Sequence, residues 1–304
     1  MDNRPRAPVA PESLGEDFVA IIGRVGSPLV EVVSLTTLAF REDRTGCYRL
    51  RFADGRLFKY RRMASARGAE TVERLISRID APNIPRVVDR HGAGLLMEFV
   101  DGGAVRRRGQ TRRLLVETAA LQGKIHRTEA ADLVAGAPPL RMSDEAVDLG
   151  RRIDRLTARK AITRHEADRL IELAMSQIPQ ECQIGVVHRD YCAENLLVSN
   201  AGDFYIVDNE AIRIGAFDFD LARTWYRWPM SPTERAVYWE SYGEHRDLSS
   251  FSSSFLFWAI DVMVRSALFR LQGGTVQAAV PIRKLRLLLR RAQTPVPPDS
   301  YLRW

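Results

Sequence analysis

Two apolar runs, Val186-Val187 and Leu196-Leu197-Val198, bracket the polar stretch His188-Arg-Asp190-Tyr-Cys-Ala-Glu-Asn195. A histidine, two acids and a carboxamide set between runs that read as buried strands are costly to desolvate, so any fold that keeps them must supply partners. After a turn at Asn200-Ala-Gly202 the segment Asp203-Phe-Tyr-Ile-Val-Asp208 reads as the return strand of a hairpin and ends in an acid. By ordinary residue frequencies, His-x-Asp-x-x-x-x-Asn alone arises on the order of once in a hundred chains of this size. The appended hairpin makes coincidence rarer still.

Phosphoryl transfer needs an in-line nucleophile and metal ions that bridge phosphate oxygens. A carboxylate must therefore stand at the attacking hydroxyl, and oxygen ligands at the metal. Asp190 and Asn195 occupy opposite ends of one loop and can serve one need each. Asp208 adds the anionic ligand that Mg²⁺ prefers, beside the neutral amide oxygen of Asn195. Metal and phosphate would then complete the polar cluster.

The rest of the chain has two textures. Val32 to Phe40, Cys47 to Phe52 and Leu57 to Tyr60 are β-rich runs separated by turns, and they read as an antiparallel meander. Val72, Leu75, Ile76 and Ile79 give 69–79 helical spacing, and a strand pair at 86–89 and 94–100 precedes Asp101-Gly102-Gly103. Beyond Gly103 the pattern is helical at 112–126, at 144–158 behind Ser143 as N-cap, and after the Thr163-Arg-His-Glu166 capping box. The expected division is a disordered arm at 1–15, a sheet-rich lobe at 16–101, a helical lobe at 102–293 and a Pro-rich tail at 294–304.

The hydrophobic fraction of 45% over 304 residues suffices for a real core. Three cysteines without a C-x-x-C pair, and no signal peptide read at Met1, lead us to expect neither a disulfide framework nor a zinc site, and a reducing cytoplasm as the location. Phe251 to Leu271 is the most apolar long segment, but Asp261 and Arg265 in its middle make it a buried helix, so no stable membrane insertion is expected.

These residues carry a family resemblance. His188-x-Asp190-x-x-x-x-Asn195, Ile206-Val207-Asp208-Asn209-Glu210, and Gly215 followed by Asp220-Leu221-Ala222 resemble the small-molecule branch of the protein-kinase-like fold, the aminoglycoside phosphotransferase and choline kinase group. The resemblance covers roughly residues 30–270 and is strongest from 186 to 222. It implies an α+β, two-lobed fold with an antiparallel sheet in the N-lobe and a mainly helical C-lobe. It implies ATP and Mg²⁺ as cofactors and transfer of the γ-phosphoryl group to a hydroxyl of a small molecule, such as a sugar, an aminoglycoside-like compound or another metabolite.

Carried over residue by residue, Asp190 resembles the catalytic base, and Asn195 and Asp208 the metal ligands. Lys59 resembles the lysine on the α- and β-phosphates, with Glu70 or Glu73 as its anchoring acid; the spacing of Glu70 to Pro85-Arg-Val87 favours Glu70. The stretch from Leu96 to Gly102, including Glu98 and Val100, resembles the hinge that reads adenine, with Leu197 beneath the base. No G-x-G-x-x-G is present, so phosphate contacts in the first turn would rest on the N–H groups of Thr45 and Gly46. Arg189 stands where this branch usually has Gly, as in protein kinases. Only eleven residues separate Asp208 from Asp220, too few for the activation segment of a protein kinase.

Other features have structural readings. His188 and His126 read as scaffolding, and Asp220 as a brace on the catalytic loop, while Glu210 is open between a supporting role and a metal contact. Arg223-Thr-Trp-Tyr-Arg-Trp-Pro229 interleaves cations and aromatics as single-strand nucleic-acid binders do, but reads as a helix beneath the active site whose arginines could line an acceptor pocket. Nucleic acid is not an expected partner. Acids are sparse from Ser231 to Trp304, which argues against a polycationic acceptor and for a neutral or anionic one. The alternatives are a nucleotide-binding pseudokinase scaffold and, less well supported, a protein kinase; acceptor identity, ATP against GTP and oligomeric state are not encoded in any motif.

Overall fold

The computed structural model describes residues 11–35, 46–105, 109–137 and 139–292. The first part of the arm, Thr45 with the rest of the first turn, and the Pro-rich tail lie outside these residues. In chain order the elements open with α1 (Glu16–Ile22), β1 (Leu29–Ser34), β2 (Cys47–Phe52), β3 (Leu57–Arg62), α2 (Ala66–Arg78), β4 (Val87–His91), β5 (Gly94–Glu98) and β6 (Gly102–Ala104). They continue with α3 (Arg112–His126), α4 (Ala131–Ala135), α5 (Met142–Ala158), α6 (Arg164–Met175), β7 (Ile184–Val187), β8 (Leu196–Ser199), β9 (Phe204–Ile206) and β10 (Arg213–Ala216). The chain closes with α7 (Phe217–Arg227), α8 (Pro232–Gly243), α9 (Ser249–Ser253), α10 (Phe255–Arg270) and α11 (Thr275–Arg291).

The chain forms two compact units. The first holds residues up to Ala104 together with Asn195–Arg213, and the second holds the remainder. In the first, a five-stranded sheet runs in the order β1-β2-β3-β5-β4, with every pair antiparallel. Its core is built by period-two alternation: Leu50 and Phe52 on β2 and Phe58 and Tyr60 on β3 point to one side and pack with Phe18, Ile21 and Leu96. Alternation sends Lys59, between Phe58 and Tyr60, to the opposite face. Within the arm, Pro11–Leu14 form a short 3₁₀ turn and Leu14 is buried against the same core.

A second sheet in this unit runs β6-β8-β9. Gly102 on β6 lies so close to the Val198 carbonyl that a side chain there would strike backbone, so this pairing requires glycine. The Asn83 side chain donates to the Phe204 carbonyl at 2.7 Å, and the Asn83 backbone carbonyl accepts from the Ile206 N–H at 3.0 Å. Those bonds explain why 195–213, expected within the helical C-lobe, packs with the sheet-rich unit instead.

The second unit is helical. Nearly every side chain of α10 from Phe255 to Val264 is buried, because α5, α6, α7 and α11 all pack on it. Asp261 inside this helix is 1% exposed and accepts from Arg152 at 2.6 Å and Arg265 at 2.8 Å. A helix wrapped by four others and carrying a paired buried acid is a core element, and no described helix is long and apolar enough to cross a membrane. The capping box at Thr163 and Glu166 forms, as does a second at Ser231 and Glu234. Helix α5 begins at Met142, so Ser143 falls inside its first turn and is not the cap.

Candidate active site

In the first unit, Lys59 Nζ donates to Asp208 Oδ1 at 2.9 Å and lies 2.9 Å from Glu210 Oε1. Burial alone would lower the lysine pKa, but the charge of Glu210, aided by Asp208, drives it well above its ordinary value. The ammonium is fixed as a cation. Asp208 is left-handed, at φ +63°, a conformation aspartate tolerates better than most residues. A 3₁₀ turn at Asn209–Ala211 follows, held by the Asn209 side chain on the Ile206 carbonyl, and it swings Glu210 back onto Lys59.

The β8–β9 register brings Asn195 and Asp208 to the same end of one hairpin. Leu196 pairs with Ile206, and the Val207 N–H donates to the Asn195 carbonyl at 2.8 Å, so the residue before one strand meets the residues after the other. A carboxylate, a carboxamide and a further buried carboxylate oxygen, Glu210 Oε2, which has no hydrogen-bond partner, make a set of hard oxygen donors suited to Mg²⁺. Among the described residues no three His, Cys, Asp or Glu side chains form a metal cage, so a divalent ion here would draw on phosphate oxygens and water for its remaining ligands.

Glu70 is not Lys59's acid. It stands exposed on α2, whose buried face is Ala69, Val72, Leu75 and Ile76, while Glu73 takes Arg90 on β4 at 2.6 Å. Glu210→Ala is expected to lower stability by about 2 kcal/mol, since it strips a buried lysine of one of two acids, whereas Glu70→Ala should stay within about 0.5 kcal/mol. Urea denaturation midpoints of the two variants decide; a larger loss for Glu70 would restore it as the anchor.

The other nucleotide candidates are also in this unit. The Gly46 carbonyl accepts from the Arg62 N–H at 3.0 Å. Glu98 spends its carboxylate on the Arg86 N–H at 2.9 Å, so its side chain braces β4 against β5. Val100 lies between β5 and β6, and Leu197 pairs with Ala104 and Tyr205.

In the second unit, Asp190 Oδ1 accepts from Arg223 at 2.8 and 3.1 Å and from Arg227 at 3.2 Å. Burial would raise the Asp190 pKa, but the two guanidinium charges outweigh it and hold the carboxyl below its ordinary value. The loop is braced from beneath by Asp220, which is wholly buried and accepts the N–H groups of His188 at 3.2 Å and Arg189 at 2.6 Å, together with His126 Nε2 at 3.0 Å. Arg189 is left-handed at φ +70°, where glycine would be relaxed and any other residue is strained by roughly 1–2 kcal/mol. Its guanidinium stacks on Phe219, 4.3 Å from the ring centroid. His188 Nδ1 accepts the Asp190 N–H at 3.2 Å, and Tyr191 ties the loop to the Thr118 carbonyl at 2.6 Å.

Two contacts escaped the sequence reading: Glu210 as Lys59's partner and the arginine pair on Asp190. The signals were present in the Asp208-x-Glu210 spacing and in the basic-aromatic run from Arg223.

The phosphotransferase enzyme family model matches residues 26–251. The chain belongs to this family. No curated protein sequence matches it. Among solved structures, macrolide 2′-phosphotransferase type I is 17% identical, with a TM-score of 0.63 over 92% of this chain and 99% of that one. An ethanolamine kinase of Plasmodium vivax is 12% identical, with a TM-score of 0.62 over 87% and 84%. A thermostable mutant of an aminoglycoside phosphotransferase, in ternary complex with ADP and hygromycin B, is 12% identical, with a TM-score of 0.59 over 91% and 99%. At these identities the likeness establishes the fold, which is that of the kinase-like phosphotransferases. Membership places the chain among the phosphotransferase enzymes.

Proposed function

We propose that this phosphotransferase moves the γ-phosphoryl group of ATP, with Mg²⁺, to a hydroxyl of a small molecule in the cytoplasm. The observation that carries the reading is the convergence of Lys59, Asp208 and Asn195 at one hairpin end. Mg²⁺, when bound, offsets the charge on the phosphate oxygens. Asn195 and Asp208 would hold it. Lys59, kept cationic by its two acids, orients the phosphates, and the segment around Glu98, Val100 and Leu197 receives the base, with Gly46 at the phosphate turn.

Asp190 is the base. It accepts the proton of the acceptor hydroxyl as that oxygen bonds to the γ-phosphorus and the bond to the ADP oxygen breaks. Arg223 and Arg227 keep it ionised. The residues between Asp208 and Asp220 are taken up by the 3₁₀ turn, β10 and the start of α7, which leaves no segment for docking a peptide and disfavours a protein kinase.

A nucleotide-binding scaffold without turnover is the second reading, favoured by one observation: an Asp190 oxygen already engaged by two guanidinium groups. Turnover discriminates. With Mg-ATP and a panel of sugars, amino alcohols, aminoglycosides and sugar phosphates, we expect acceptor-stimulated ADP release that EDTA abolishes. ATP binding without ADP release across the whole panel would favour the scaffold.

A further inference from the structure

Helix α7 turns two faces to different tasks. Arg223 and Arg227 hold Asp190, while Trp225 between them lines a cavity of about 760 Å³ with Pro229 and Met230, the start of α8, and Lys284, Leu288 and Arg291 of α11. The cavity is large enough for a sugar-sized ligand. Among the described residues that line it, Arg235 and Lys284 are cations, and the acid Glu234 is already engaged by the N–H groups of Ser231 and Gln110.

Arg235 is 6% exposed, yet among the described residues no carboxylate pairs with it. One nitrogen donates to the Trp225 carbonyl at 3.2 Å, and the guanidinium lies 5.2 Å from the Trp225 ring centroid. Its Nε and Nη1, like Trp225 Nε1, have no hydrogen-bond partner. All three unsatisfied atoms are donors. A buried guanidinium without an acid is costly, and burial together with the charge of Arg291 pulls its pKa down to about 10. Burial, followed by Arg235 and Arg227, pulls Lys284 to about 8. The N-terminus of α8 adds its positive dipole end.

We propose that this cavity binds the phosphate group of an acceptor that is already a phosphate monoester, so that the substrate class is a small hydroxylated phosphate. The unsatisfied donors of Arg235 and Trp225 and the ammonium of Lys284 offer the hydrogen bonds and positive charge that a dianionic phosphate takes up. Lys284 donates to the carbonyl of Tyr226 at 2.8 Å, next to Arg227, which holds Asp190 at 3.2 Å, so α7 joins the cavity to the base. The acceptor assignment rests on the function proposed above; anion binding does not.

The test therefore has two arms. In the first, inorganic phosphate is titrated calorimetrically into the whole chain without nucleotide, with acetate as comparison. We expect saturable phosphate binding at one site, little with acetate, and at least a tenfold loss in Arg235→Met. Met keeps the apolar stem, so we expect that variant to be as stable as the parent or more so in phosphate-free buffer, since it removes an uncompensated charge. No saturable phosphate binding, equal affinity for acetate, binding indifferent to Arg235→Met, or a destabilised variant, as a structural arginine would give, overturns the site. In the second arm, ADP release is followed with glucose 6-phosphate and glucose. A phosphorylated acceptor favoured at least tenfold in KM, with the preference lost in Arg235→Met, supports the substrate class; equal use of the two sugars overturns it. Absence of ADP release with every acceptor sinks the phosphotransfer reading and leaves the first arm to decide the site.

Discussion

Asp190→Asn is expected to cut turnover roughly 10³-fold, within the range by which a positioned general base accelerates proton transfer, while ATP affinity stays within about twofold. Asn has the same shape and can still accept from Arg223 and Arg227. It cannot take a proton. Single-turnover phosphoryl transfer and equilibrium nucleotide binding separate the two effects. Wild-type turnover in the variant would remove Asp190 from the chemistry, and loss of ATP affinity equal to the loss of turnover would make its role structural.

The arginine pair makes the same assignment testable by pH. Asp190 has a lowered pKa, so its inflection in kcat/KM should fall below the ordinary aspartate value. Removing one cation destabilises the charged form. Arg223→Met should therefore raise the Asp190 pKa and move the acid limb of the profile to higher pH. A limb unchanged between wild type and Arg223→Met would show that Arg223 does not set the ionisation of the base.

Helix α3 spans Arg112–His126, as the sequence suggests, because its periodicity and its Thr111 cap are local signals. The stretch from His188 to Asp208 is equally legible, since the spacing of its polar groups is imposed by one loop and one hairpin. Partner choice is another matter. Glu70, Glu73 and Glu210 are equivalent as sequence; only the sheet register, the helical phase of α2 and the turn after Asp208 select Glu210 for Lys59. The arginines on Asp190 are 33 and 37 residues away from it, and the cavity behind them needs α7, α8 and α11 together. The assignment of 195–213 to the sheet-rich unit likewise depends on β6 and Asn83, contacts that no local pattern reveals.

Asp220→Asn is expected to cost about 3 kcal/mol or more of stability, the range for breaking a buried charged network by removing one partner. Four donors converge on this carboxylate: His126 Nε2, Gln122 Nε2 and the N–H groups of His188 and Arg189. An asparagine presents one oxygen to them and turns an NH₂ group toward others that also donate, so buried donors go unsatisfied. Burial would raise the Asp220 pKa, but the His126 hydrogen bond and charge and the Arg189 N–H overcome it and hold the carboxyl at about 2. A carboxyl whose pKa is lower folded than unfolded stabilises the fold above its unfolded value and ceases to do so as pH falls through its folded value. Its contribution, about 2 kcal/mol, should thus be complete above pH 4 and disappear between about 4 and 2. Urea denaturation of wild type and variant across this range checks both the size and the sign. The wild-type curve should lose this part of its excess stability toward pH 2, where the gap to the variant narrows by about 2 kcal/mol; a variant within about 0.5 kcal/mol of wild type at pH 7 would mean that His188 and Arg189 are held by the loop itself and that Asp220 is not its brace.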